Sequence, residues 1–252
     1  MVVAWVIISV LVGIGVIGNN VGTALTLYRG TLDNGGSRRQ AIRIALLAAA
    51  GLAVWAGCSA VLAAAGDYVP LLPPWQLITV LATMTTLLLI SRLPAVRSAL
   101  WGPKALRRLL WPQFVRVVGV AFIVAMFAGI LPPLFALPAG IGDVAVGVAA
   151  IRAHQLTATA NRFRTLMAVN VLGIVDLMTA FAIGALAGFG VIHVSPDTSA
   201  IGRLPFALIL TVGVPIFLAC HITSLKLLRQ NMPSTAAAAE LRAPASESRT
   251  AM

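Results

Sequence analysis

Little in this chain is suited to face water: charged residues make up 10 % of its 252 positions, against 60 % hydrophobic ones. An ordinary soluble domain carries roughly 25 % charged residues on its surface, so that class is excluded. Acidic residues are scarcest, seven Asp and Glu against 18 Lys and Arg, for a formal charge of +11. There are only two cysteines, Cys58 and Cys220, both inside apolar stretches; a disulfide framework is excluded, and each is expected to be a buried small residue. The three histidines, His154, His193 and His221, have no ligand spacing to one another or to a cysteine, so no metal site and no cofactor are expected. Met1-Val-Val-Ala-Trp5 lacks a basic segment and the run after it lacks a small-residue cleavage pattern, so it reads as a retained helix rather than a signal peptide.

What the chain does have is long apolar runs. Residues 4–28, 44–66, 75–91, 114–132, 134–151, 166–190 and 206–226 each approach the ~20 residues that cross a hydrocarbon core of about 30 Å. The expected fold is all-α: a polytopic transmembrane bundle of seven helices within residues 1–229. Between the fourth and fifth spans the only break is Leu131-Pro-Pro-Leu134, where each proline removes a helix donor; a tight external turn is expected, with a hairpin turning inside the membrane as the alternative. Residues 230–252 shift to Ser, Thr, Ala, Pro and scattered charges with no apolar face, and read as a disordered cytoplasmic tail.

The basic residues test this division independently of hydropathy. Arg29, Arg38, Arg39 and Arg43 follow span one, six from Arg92 to Arg116 follow span three, Arg152, Arg162 and Arg164 follow span five, and Lys226, Arg229, Arg242 and Arg249 follow span seven. That places 17 of 18 basic residues on one side and only Arg203 on the other. Basic loops stay in the cytoplasm, so the N-terminus is expected outside and the C-terminus inside. The same distribution explains the net charge: the partners it implies are the lipid bilayer and anionic headgroups at the cytoplasmic face, not nucleic acid. The basic stretch from Arg92 to Gln113, with Trp101 and Trp111 among its charges, reads either as an amphipathic helix at the inner interface or as a solvated loop.

Ionisable groups inside apolar spans are the default functional candidates, because a charge near the bilayer centre costs a few kcal/mol or more. Two acids qualify, Asp143 about ten residues into span five and Asp176 about ten into span six, which a rise of 1.5 Å per residue brings to similar depth. If these carboxyls meet, they are expected to share a proton. Asn19 and Asn20 in span one, Asn170 in span six and His221 in span seven lie nearer the cytoplasmic half and form a candidate polar cluster, or else serve as interhelical packing contacts. Gly18-x-x-x-Gly22 and Gly184-x-x-x-Gly188 permit close helix approach, within the bundle or across a homodimer.

Gly140-Ile-Gly-Asp143 spells the G-x-G-D signature of intramembrane aspartyl proteases, but the partner aspartate of the presenilin-like members precedes that signature and follows a tyrosine, whereas Asp176 comes later and follows Val175. A retinal protein needs a lysine midway along the last span, and Lys226 lies at its end. The segments Leu131-Pro-Pro-Leu-Phe-Ala-Leu-Pro-Ala-Gly-Ile-Gly-Asp143 and Asn170-Val-Leu-Gly-Ile-Val-Asp176 together resemble a family of uncharacterised bacterial multi-pass membrane proteins, over spans four to six. The resemblance implies a bacterial inner-membrane location and both aspartates as family features, and it supplies no activity.

The expected function is therefore binding or transport of a small solute or protons at a mid-membrane acidic site comprising Asp143, Asp176, Asn170, His221 and Asn20. An intramembrane aspartyl-type hydrolase and a purely structural assembly protein are the alternatives. Under the seven-span topology, a reporter enzyme fused after Gln230 is active only in the cytoplasm; activity on the opposite side overturns it.

Overall fold

The computed structural model describes residues 1–69, 74–102, 104–156 and 162–230, and all regular structure among them is helical. In chain order the helices are α1 (Val2–Asp33), α2 (Arg38–Ala65), α3 (Trp75–Ile90), α4 (Pro94–Leu100), α5 (Ala105–Arg108), α6 (Val120–Phe127), α7 (Pro133–Gln155), α8 (Arg162–Gly188) and α9 (Val214–Gln230). A 3-10 segment, Trp111–Gly119, joins α5 to α6, and a π-helical turn, Ile209–Gly213, leads into α9. Six stretches are long and apolar enough to cross a membrane: α1, α2, Ala105–Phe127, α7, Phe163–Gly188 and Ile209–Gln230. The expected third span is a 16-residue helix, α3, which bends by 90° into α4. Residues 231–252, expected as the tail, lie outside the described residues.

The apolar stretch expected to start at 114 starts at Ala105. Arg107, Arg108 and Arg116 depress the hydropathy of its first half and make a buried segment resemble a loop. The Pro132-Pro133 break is a true helix boundary: Pro133 begins α7, where a missing N–H leaves no bond unmade, and Gly129 supplies a left-handed turn at φ +67.

Each end of the bundle is tied by specific bonds. At the end where α1 terminates, Arg108 donates to Asp33 and Lys104 lies 3.7 Å from the same carboxylate. The Asn34 amide donates to the carbonyls of Ser98 (2.6 Å) and Trp101 (2.7 Å). Within 92–104 the described residues are tied to α1 through α4, with Ala99 buried against Gly30, while Arg92, Arg97 and Lys104 stay exposed. At the other end Gln76, at the start of α3, donates to the Ile201 carbonyl at 3.0 Å.

The 3-10 segment is nine residues long, beyond the usual three or four, so tertiary contacts must hold it. Three residues per turn place i, i+3 and i+6 directly above one another, which gives the segment three flat faces. Pro112, Val115 and Val118 form the face toward α1: a Cβ added at Gly22, Gly18 or Gly15 would fall 3.2, 2.5 or 2.8 Å from them. Phe114 and Val117 face α7, where Phe114 meets His154 edge to face at 5.4 Å and Val117 sits over Gly147. The third face carries Gln113, Arg116 and Gly119, all buried. Gly18-x-x-x-Gly22 therefore works inside the bundle.

Pro215 in α9 has no N–H to offer the carbonyl four residues earlier. Thr211 is that residue, and the Trp55 indole N–H of α2 donates to its carbonyl at 3.0 Å. The Thr211 hydroxyl donates to Ala207 O (2.7 Å) and accepts from Ser59 at 2.5 Å, joining α2 to the π-helical turn. Cys220 is buried as expected, but Cys58 lies on the outward side of α2 and is exposed.

The glycine contacts separate two classes of position. At Gly30 a Cβ would run into the backbone carbonyl of Ala99, whereas at Gly13 it would meet nothing within 4 Å. Gly30→Val is expected to destabilise the fold by about 2–4 kcal/mol and Gly13→Val by under about 0.5. Thermal melts in detergent check this, and equal melting temperatures for the two variants would show that α4 does not pack on α1 as described.

Candidate functional site

Arg116 stands midway along Ala105–Phe127, on the inward face of the 3-10 segment, and its side chain is 0 % exposed. A guanidinium has donors only, so every neighbour must accept from it. Nε donates to Asp143 Oδ1 of α7 at 2.8 Å, and Nη2 donates to Asp176 Oδ2 of α8. Nη1 donates to His221 Nε2 of α9 at 3.2 Å. Because Nε2 must accept, the ring proton of His221 sits on Nδ1, where it is donated to Asn170 Oδ1 at 2.9 Å. Asn170 in turn donates to the Leu166 carbonyl at 2.7 Å. The result is a directed chain of hydrogen bonds from Arg116 along α9 and α8. The Phe217 ring lies 5.4 Å from Cζ, and the Gln113 amide fixes the Phe217 backbone carbonyl at 3.2 Å.

Close backbone approach makes this convergence possible. A Cβ at Gly142 would run into the Asp176 carboxylate, one at Gly173 into the His221 imidazole, and one at Gly119 into Asp143. The glycine of G-x-G-D thus makes room for a carboxylate of the next helix.

A cavity of about 280 Å³ reaches both aspartates from the end of the bundle where Tyr68, Gln76 and Asp197–Gly202 lie. Phe122, Phe135, Leu177 and Phe181 supply much of its wall, with α3 on one flank and α8 on the other. Gly184 and Gly188 line it too, so this second glycine pair shapes the cavity. At its rim Asp197 accepts from the Ser199 N–H at 2.9 Å, and hydrogen bonding from Ser199 holds its carboxyl below the usual carboxylate range. It therefore stays ionised at neutral pH.

Four expected site residues fall into one network: Asp143, Asp176, Asn170 and His221. Asn20 does not, since its amide donates to the Ala49 carbonyl of α2 at 3.1 Å. Asn19 is buried with neither amide atom hydrogen-bonded among the described residues. Each carboxyl gives one oxygen to the same guanidinium, so Arg116 is the partner of both. Arg116, assigned by the charge pattern to the inner loop, is a buried residue within the apolar stretch Ala105–Phe127. The clue to its place was electrostatic: two acids in apolar spans require a cation, and Arg116 is followed directly by the apolar run from Val117.

A helical bundle whose six long apolar segments fit a multi-pass membrane protein, enclosing a buried Arg–Asp–Asp–His–Asn network beside a cavity, is the class that fold and site define. Over residues 72–229, α3 through α9, the chain matches a domain of unknown function, DUF8737, and it belongs to that family. The membership agrees with an uncharacterised family and brings no activity with it. No curated protein and no solved structure matches the chain.

Removing one partner from a buried ionic network leaves an uncompensated charge, which typically costs about 3–5 kcal/mol, whereas replacing the whole set is close to neutral. Arg116→Met is therefore expected to lower the yield and melting temperature of folded protein sharply, and Arg116→Met/Asp143→Asn/Asp176→Asn to recover most of the loss. A single variant as stable as the parent would show that the ion pairs do not hold the bundle.

Proposed function

We propose that this protein is a non-enzymatic, multi-pass membrane protein that binds, and in its cycle moves, a small solute or protons through the site formed by Asp143, Asp176 and Arg116. The observation that carries this reading is the cavity: a space of about 280 Å³, close to the lower bound of roughly 300 Å³ for small-molecule sites, ends on two carboxylates halfway along their helices. His221 and Asn170 hold Arg116 from the opposite side and belong to the site as positioning groups.

We further propose seven passes with the N-terminus outside. In support, the chain must travel between residues 69 and 104 from the end marked by Gln76 and Ile201 to the end marked by Asp33 and Arg108, and α3 with α4 is the segment that does so. The loops at the Asp33 end carry most of the basic residues, which supports assigning that end to the cytoplasm and the cavity mouth to the outside. A bacterial inner membrane rests on the family resemblance of residues 131–143 and 170–176.

An aspartyl-type hydrolase is less well supported. Two carboxyls that activate a water must face one another around one proton, and here Arg116 takes an oxygen from each. A purely structural role leaves the cavity at the two acids without a purpose.

Solvent access is the test. With Cys58 and Cys220 changed to alanine and serine, Ala180→Cys on the cavity wall is expected to react with a small water-soluble thiosulfonate added on the side of the Asp197 loop, and not from the side of Asp33. Val175→Cys, on the outward face of α8, serves as the unreactive control. Absence of reaction at position 180 from either side overturns the binding reading.

A further inference from the structure

We infer that the site takes a small amphipathic monovalent organic cation, an ammonium group on an apolar body. This rests on the reading of the cavity as a binding site and specifies what that site selects. In a chain with 18 basic residues and seven acidic ones, the cavity is lined by three of the acids, Asp143, Asp176 and Asp197, and by no basic residue among the described ones. An acidic lining in so basic a protein is a strong bias toward one sign of ligand.

Charge balance at the inner end points the same way. Arg116 brings one positive charge to two carboxyl groups, and His221, which must accept from Arg116, adds none. Asp143 Oδ1 and Asp176 Oδ2 are taken by the guanidinium, while Asp143 Oδ2 and Asp176 Oδ1 have no hydrogen bond among the described residues. Asp143, only 8 % exposed, and Asp176 both line the cavity, so the two carboxyl groups that Arg116 holds by one oxygen each also border that space. One further positive charge, with donors to give, completes the set; a buried carboxylate left uncompensated is costly.

The walls decide which cation. A metal ion such as Na⁺, K⁺ or Ca²⁺ replaces its water shell with several oxygen ligands, six to eight for Ca²⁺. Around the two carboxylates the wall is instead Phe122, Phe135, Leu177, Ala180 and Phe181. Carbon atoms and aromatic faces offer a metal nothing, but they bury an apolar body and attract an ammonium group through the ring faces. A proton satisfies the charge and leaves the apolar volume unused. Asp197, ionised at the rim, adds negative charge at the mouth, which the nearby Arg203 partly offsets.

The test uses full-length protein in lipid nanodiscs, titrated by calorimetry with benzylamine, n-hexylamine, benzyl alcohol and benzoate. The amines are expected to bind saturably and about tenfold or more tighter than the alcohol, with no binding of benzoate. Asp176→Asn should weaken the amines by about tenfold or more and leave the alcohol unchanged. Ala180→Phe, which fills the cavity one helical turn from Asp176, should abolish both; thermal melts confirm that each variant is folded. Equal affinity for amine and alcohol, both lost in Ala180→Phe, overturns the cation assignment while the cavity remains a binding site. No saturable binding of any of the four, in a folded protein, overturns both readings. If Asp176→Asn fails to fold, Asp197→Asn is read in its place, with a smaller loss of amine affinity that disappears at high salt, and no loss at any salt counts against the proposal.

Discussion

A guanidinium in the middle of an apolar bundle cannot be left to solvent, and its donors must all be answered by protein. Arg116 distributes three of its nitrogens over three different helices, α7, α8 and α9, by way of Asp143, Asp176 and His221. Because the group is planar and rigid, those bonds set the rotation of each helix about its own axis as well as its depth relative to the others. The bundle core and the candidate site are therefore one construction. Asp143 and Asp176 do not approach one another for their own sake; they are brought together by the cation that each needs.

The backbone around Arg116 has to serve three neighbours at once, and the 3-10 geometry is what allows it. In an α-helix every third residue drifts by about 60° around the axis, so Pro112, Val115 and Val118 would spread over a wide arc. In the tighter helix they stay in line and pack into Gly22, Gly18 and Gly15 of α1, while Gln113, Arg116 and Gly119 stay in line on the opposite side. Pro112 starts the segment because it cannot donate into an α-helical turn. The glycines of α1, α7 and α8 supply the clearance that a thicker helix surface would deny. Packing of small residues, rather than apolar burial, is the expected basis of helix association in lipid, and here it selects an unusual backbone state as well.

Much of this was legible in the chain. Hydropathy located the long apolar helices, the Pro132-Pro133 boundary was placed correctly, and the shared depth of Asp143 and Asp176 identified the center of the site. Asn170 and His221 were grouped with each other on depth alone and do bond. Arg116 was misplaced because a single arginine beside an apolar run has the same local signature as a loop residue; only the demand of the two acids for a partner distinguishes it, and that is a long-range condition. Asn20 was misjudged for the converse reason. Depth places a residue along a helix axis but not around it, and Asn20 points to Ala49 on α2, away from the site. A 3-10 period of three was also unreadable by a search tuned to 3.6, so Trp111–Gly119 was divided between a basic stretch ending at Gln113 and an apolar span from residue 114.

The site is built unequally along its length, and that asymmetry bears on what it does. Toward the Tyr68 and Asp197 end the carboxylates meet an open space with an acidic rim. Toward the Asp33 end they meet Arg116, then His221, Asn170 and the Leu166 carbonyl, each bonded to the next. A molecule entering from the open end reaches carboxylates already half-occupied by a resident cation, so it competes with Arg116 for them or completes their charge. Under the proposed reading its arrival acts on the same two carboxyl groups that hold α7, α8 and the 3-10 segment in register, since Arg116 takes one oxygen of each and leaves the other. On that proposal occupancy and helix arrangement meet at one ionic centre, which is the minimum physical requirement for a membrane protein whose shape responds to what it binds.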